Sequence, residues 1–239
     1  MFNEYSIYNK GLDSIDLHSN KIINTINPHS YCIASKDLEF KNALKESDIL
    51  LPDGIGIIFA ELFLNKNKIK KIAGYDLFLF LMQKLEKDKG TVFFLGASND
   101  TLKKIEAKCK LDFPNVTFEG YSPPYKAKFT EQDSKRMCDA INAINVDVLF
   151  VGMTAPKQEK WINKYKDHLN ARNICCVGAV FDFYSGNLLR SSPFWIQLGL
   201  EWLPRFLKEP KRLFKRNFVS TPKFVIEILS FKLFGKGIL

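Results

Sequence analysis

Six short apolar runs, each ended by a turn-forming residue and separated by stretches with helical spacing, limit this chain to few folds. They are Lys21–Ile26, Ile49–Leu51, Thr91–Leu95, Asn115–Phe118, Asp147–Gly152 and Ile174–Gly178. Runs of this length, bounded by Gly, Pro, Asn or Asp, read as strands, and their nearly unbroken apolar character suits a sheet covered on both faces. Helical patterns fill the gaps, for example Lys36–Leu44, Leu77–Leu85 and Phe129–Ile144. Repeated strand–helix–strand units imply right-handed crossovers. The expectation is an α/β, Rossmann-like, mostly parallel sheet with helices on both faces.

In a parallel sheet all strands end at the same edge, so the turns after them converge. Thr25-Ile26-Asn27, Pro52-Asp53-Gly54, Gly96-Ala97-Ser98 and Gly152-Met153-Thr154 therefore belong to one side of the molecule. Asp53 stands at a strand end, ahead of Gly54, which lets the backbone turn sharply. It is either a catalytic base or only the cap of the next helix. Asn27 followed by Pro28 reads as a helix cap at the same edge. Gly96-Ala97-Ser98 opens a helix whose free amides favour phosphate oxygens. Beside Gly152, the first turn after Pro156 carries Lys157, Gln158 and Glu159, either a solvated face or part of a site.

Several chemistries are excluded or disfavoured. Phe59 occupies the position where a dinucleotide fingerprint starting at Gly54 needs its third glycine, which counts against a nicotinamide-dependent enzyme. There is no phosphate-binding loop of the G-x-x-x-x-G-K-[ST] type and no D-x-D triplet to hold a divalent cation. The three histidines are scattered, so no zinc site is expected, and no cofactor. Five cysteines without C-x-x-C spacing read as buried free thiols of a reducing compartment.

Of the net charge of +9, +7 falls between Arg190 and Leu239, where ten cations face three acids. Residues 1–190 are expected to form the catalytic domain and 191–239 a basic helical appendage. Such an appendage should meet phosphates, on lipid, nucleotide or nucleic acid. The run from Pro222 through Phe224, Ile228, Phe231 and Phe234 is a short apolar helix flanked by lysines, suited to an anionic membrane surface. Docking on the body, or a homo-oligomer contact, is the other use of such a helix. Phe206, Phe214 and Phe218 fall at helical spacing and read as packing residues, so nucleic acid is not expected as a partner. No signal peptide and no transmembrane helix are expected, which places the chain in the cytoplasm, peripherally on the inner face of the plasma membrane.

Certain blocks go further. Leu51-Pro52-Asp53-Gly54-Ile55-Gly56, Gly74-Tyr75-Asp76-Leu77, Ala155-Pro156-Lys157-Gln158-Glu159-Lys160-Trp161, Val177-Gly178-Ala179-Val180-Phe181-Asp182-Phe183-Tyr184 and Gly199-Leu200-Glu201-Trp202-Leu203-Pro204-Arg205 occur in that order. Together they resemble the WecG/TagA/CpsF glycosyltransferases, from about Lys21 to Phe218. The resemblance implies inverting, metal-independent transfer of a sugar, N-acetylmannosamine or a related hexose, from a UDP-sugar to an undecaprenyl-diphosphate-linked saccharide. It implies Asp53 as base and Thr25 and Gln158 as polar residues of the pocket. Arg205 and Arg212 would reach the donor diphosphate from the appendage. Lys71 and Lys215 stand where the family commonly has arginines. They keep the charge but lose the bidentate fork.

Overall fold

The computed structural model describes residues 2–16, 19–198 and 200–235, with the side chains of Pro193, Gln197 and Arg212 outside the description. Six strands form one sheet: β1 (Lys21–Ile26), β2 (Ile49–Pro52), β3 (Thr91–Gly96), β4 (Thr117–Tyr121), β5 (Val146–Gly152) and β6 (Ala171–Cys176). Their order across the sheet is β2-β1-β6-β5-β3-β4, and every pairing is parallel. The Rossmann-like α/β expectation holds.

The helices that make the crossovers are α1 (Pro28–Ala34), α2 (Leu38–Lys45), α3 (Ile55–Asn65), α4 (Gly74–Asp88), α5 (Asn99–Asp112), α6 (Glu131–Asn142), α7 (Lys157–Tyr165) and α8 (Val180–Tyr184). Local chemistry sets their starts. Asn27 caps α1 by accepting from the amides of His29 and Ser30, with Pro28 in the first turn. Ser98 caps α5 and Thr130 caps α6. Four short or medium helices follow: α9 (Pro193–Gln197), α10 (Trp202–Lys208), α11 (Pro210–Phe214) and α12 (Thr221–Phe234). Between α11 and α12 lies a π-helical turn, Lys215–Ser220.

Apolar side chains fill both faces of the sheet. Phe78, Phe94, Phe150 and Phe181 build one layer, joined by Leu77, Leu81 and Tyr184. Leu95, Leu149, Val151, Met137 and Ile162 build the opposite one. A third cluster sits under the outer strand β2, where Phe2, Tyr5 and Tyr31 meet Phe40, Leu50 and Phe224. The segment before β1, polar and mixed in sequence, forms two 3₁₀ turns, Phe2–Glu4 and Leu12–Ser14, and packs Phe2 and Ile15 into the core. β4, the outermost strand on the other side, is mostly exposed, which is why its apolar pattern is weak.

The helix from Pro222 is docked rather than free. Phe224 and Ile228 are fully buried, and α12 lies against α1 and α3. Its opposite side exposes Ile226, Leu229, Leu233 and Phe234. None of the described helices is long and apolar enough to cross a membrane.

Candidate active site

The carboxyl ends of β1, β2, β3, β5 and β6 open onto one cleft of about 980 Å³, roofed by residues of the basic appendage. A smaller cavity of about 310 Å³, lined by Lys21, Asp48, Lys166 and Arg172, lies at the amino ends of β1 and β6, away from these turns.

Asp53 lines the cleft immediately after β2, its amide donating to the carbonyl of Ile26 at 2.8 Å. It does not cap α3. The cap residue is Gly54, at φ +97°, and no side chain bonds the helix start there. The capping alternative is thereby removed. Burial pushes the Asp53 carboxyl above its ordinary pKa. Arg216, Lys71 and Arg205 oppose that rise, while Glu201 adds to it. A carboxylate so placed is a stronger base than one in water.

Thr25 and Asn27 line the cleft from the end of β1, with the Asn27 side-chain oxygen engaged at the start of α1. Gly96, Ala97 and Ser98 form its next wall. Gly96 has φ +128°, and a Cβ there would come within 2.4 Å of the Gly152 carbonyl oxygen, so only glycine lets β3 and β5 approach so closely. Ala97 is also left-handed, at φ +56°, and its carbonyl accepts from Ser122 Oγ at 2.7 Å. This loop leads into the amino end of α5, where the Ser98 hydroxyl accepts from the Thr101 amide at 3.2 Å and Asn99 also lines the cleft.

On the far side, Gly152 presses on the Phe181 ring, leaving no room for a side chain. The chain then runs through Thr154, at φ +70°, to the first turn of α7. Gln158 is buried. Its Oε1 accepts from the Met153 amide at 3.1 Å and its Nε2 donates to Glu159 Oε1 at 2.9 Å. Glu159 is 3 % exposed and its Oε2 has no hydrogen-bond partner. Burial raises its pKa to about 7. Lys157 holds its ammonium 3.6 Å from the centre of the Phe129 ring, and burial lowers its pKa. All three side chains line the cleft.

Glu159 carries a consequence for stability. Below about pH 4.5 both folded and unfolded chains hold the proton; as pH rises towards about 7 the unfolded chain releases it while the folded chain keeps it. Stability therefore falls across that window, by roughly 3 kcal/mol if the whole shift is expressed. Glu159→Gln should remove this component, so that thermal melts of the variant and wild type diverge between about pH 4.5 and about pH 7. Parallel curves would show that Glu159 does not titrate there.

The appendage supplies cations, in part different from those expected. Arg205 lines the cleft with its guanidinium 4.9 Å from the Phe183 ring. Lys215 is exposed and does not line the cleft, whereas Arg216, the next residue, is half-buried and does. Lys71 is not a lining residue. It pairs with Glu201 at 2.8 Å, linking the body to the appendage. Gly54 shapes the turn after Asp53 without lining the cleft. The Arg212 side chain lies outside the described residues.

Two cleft arginines escaped the sequence reading. Arg190 pairs with Asp76 at 2.7 Å and covers the Tyr75 ring at 4.5 Å. Arg216 could have been suspected from Pro222. Proline has no N–H to donate four residues back, so a helix running into it loosens its preceding turn. Among the described residues no group of three or more His, Cys, Asp or Glu side chains could hold a metal ion.

Taken together, these features define an α/β protein with a Rossmann-like sheet whose carboxyl edge gathers Asp53, Gln158, Glu159, Arg205 and Arg216 into one cleft. The family model "Glycosyl transferase WecG/TagA/CpsF family" matches residues 4–237. The chain belongs to that family. It is 35 % identical over 216 residues to an N-acetylglucosaminyldiphosphoundecaprenol N-acetyl-beta-D-mannosaminyltransferase of Bacillus spizizenii, covering 90 % of this chain and 81 % of that protein. The Bacillus subtilis protein of the same description matches with the same identity and coverage.

Proposed function

We propose that this glycosyltransferase moves N-acetylmannosamine or a related hexose from a UDP-sugar to an undecaprenyl-diphosphate-linked saccharide, with inversion and without a metal ion or cofactor. The observation that carries the reading is that Asp53 and the cations Arg205 and Arg216 share one cleft. The descriptions of the two Bacillus relatives support the lipid-diphosphate acceptor.

In this reading Asp53 takes the proton of the acceptor hydroxyl as its oxygen bonds to the anomeric carbon. The bond from that carbon to the donor diphosphate breaks on the opposite face, and UDP departs with the electron pair. Arg205, Arg216 and the amides after Gly96 meet the charge that grows on the leaving oxygen. Gln158, held by Met153 and Glu159, presents a fixed amide to the sugar. Residues 1–190 would carry the chemistry and residues 191–239 would close over the donor. The test is a panel of UDP-sugars offered with lipid-diphosphate acceptors and read by mass spectrometry. A single transferred hexose with release of UDP is expected, and no product from any donor would refute the assignment.

A lipid-linked acceptor requires contact with a membrane. We place that contact on the apolar face of α3 and α12, where Ile55, Phe59 and Leu62 stand exposed beside Ile226 and Leu233. Lys223 and Lys232 flank it, and each cation near an anionic leaflet adds about 1 kcal/mol. Phe59→Glu combined with Leu233→Glu should lower retention on anionic vesicles about tenfold or more. Unchanged retention, or a dimer in wild type that the pair dissolves, would assign the face to self-association.

A further inference from the structure

Arg216 reaches the cleft from a widened turn of the appendage. In the π-helical stretch Lys215–Ser220 the Thr221 amide donates to the Arg216 carbonyl, five residues back, and Thr221 Oγ1 reaches the same oxygen at 3.1 Å. An extra residue in a helical turn rotates the preceding helix by about 100° relative to the helix beyond it. The outcome is visible in two neighbours, with Lys215 exposed and Arg216 lining the cleft.

The turn is fastened from outside the appendage. Ser220 is 5 % exposed, and its Oγ lies 2.8 Å from Nδ1 of His29. Cys32 Sγ donates to the Ser220 carbonyl at 3.3 Å. Both partners belong to α1, the helix that Asn27 caps two residues after Thr25. His29 also lines the cleft. One short helix thus joins the floor of the site to the turn that carries the arginine.

We propose that His29 and Ser220 form a clasp that sets the register of the appendage, making Arg216 the diphosphate-binding residue of the turn and His29 its positioning residue. This rests on the donor reading above. The arginine has the chemistry for it: a planar fork suited to two phosphate oxygens, in the same cleft as Gly96, Ala97 and Ser98. Its charge also acts on Asp53 across the cleft, opposing the rise that burial imposes on that carboxyl.

The experiment compares UDP affinity by calorimetry with amide hydrogen exchange over residues 215–221. Arg216→Ala should weaken UDP at least tenfold, as loss of a charge-assisted hydrogen bond does, and should cost more than Lys215→Ala. His29→Ala should weaken UDP about tenfold and speed exchange in the turn by a similar factor. His29→Asn, which keeps a polar atom near the Nδ1 position, should restore most of both. In the Arg216→Ala background, His29→Ala should weaken UDP no further. Additive losses, an unchanged exchange rate in His29→Ala, or a larger loss for Lys215→Ala would each overturn the proposal. Wild-type protein that fails to bind UDP would refute the donor reading instead, and the exchange rates alone would then decide the clasp.

Discussion

Asp53→Asn should abolish sugar transfer, lowering the rate by about 10²–10⁴-fold, while the protein folds and binds UDP as well as wild type or better. The amide has the shape of the carboxylate but cannot take a proton. Removing a desolvated negative charge from beside a diphosphate does not weaken binding. It should also leave the melting temperature equal or higher, because burial opposes the charged form of this side chain. The direction of the pKa shift adds a second readout. Wild-type activity should fail in acid at a pH above the ordinary carboxylate range, since the base is lost once it is protonated. Near wild-type turnover in the variant would eliminate Asp53 as the base. Equal loss of transfer and of fold would make it structural.

The second large effect belongs to stability. Gly96→Ala should cost about 3 kcal/mol or more, near 10 °C in melting temperature for a domain of this size. The residue holds φ +128°, and the new Cβ would meet the backbone oxygen and carbon of Gly152 at 2.4 and 2.8 Å. Neither atom belongs to a side chain that could swing away, so β3 and β5 would have to part at the mouth of the cleft. Gly11→Ala is the matched control, because a Cβ there meets nothing within 4 Å. Calorimetric melts that shift equally for both would show that the crowding at Gly96 is relieved at no cost.

Much of this architecture was legible in the sequence because the sheet is buried on both faces. Burial on both faces forces unbroken apolar runs such as Val92-Phe93-Phe94-Leu95 and Val148-Leu149-Phe150-Val151, and those are hard to mistake. The half-exposed edge strand β4 left a blurred signal, and its bounds moved to Thr117–Tyr121. Convergence of Thr25, Asp53, Gly96 and Gly152 followed from topology alone, since parallel strands end on one side. Pro222 hinted at a loosened turn, but the pattern did not say which side chain that turn would aim. Lys215 and Arg216 are adjacent cations of equal charge, and a single extra residue in one turn decides which of them enters the cleft. Lys71 was expected at the substrate, yet it pairs with Glu201. That pair joins segments far apart in the chain, a relation no local spacing encodes. For Glu159 the sequence left a solvated first turn and a site residue open; it lines the cleft, and its nearly neutral titration comes from enclosure, which composition does not report.

The meeting of Phe2 and Tyr31 with Phe224, ring centres 5.9 and 5.1 Å from the last, has a bearing on how the molecule comes together. All six strands and Asp53 precede Arg205 and Arg216 in the chain, so the sheet and its carboxylate are the first parts available to fold. The distal helix seats Phe224 against Phe2 and Tyr31, next to the turn that carries Arg216. Closing so wide a loop is slow compared with local pairing. Entry of Arg216 into the cleft would therefore be a late step of folding, gated by the same aromatic knot that shields the outer strand.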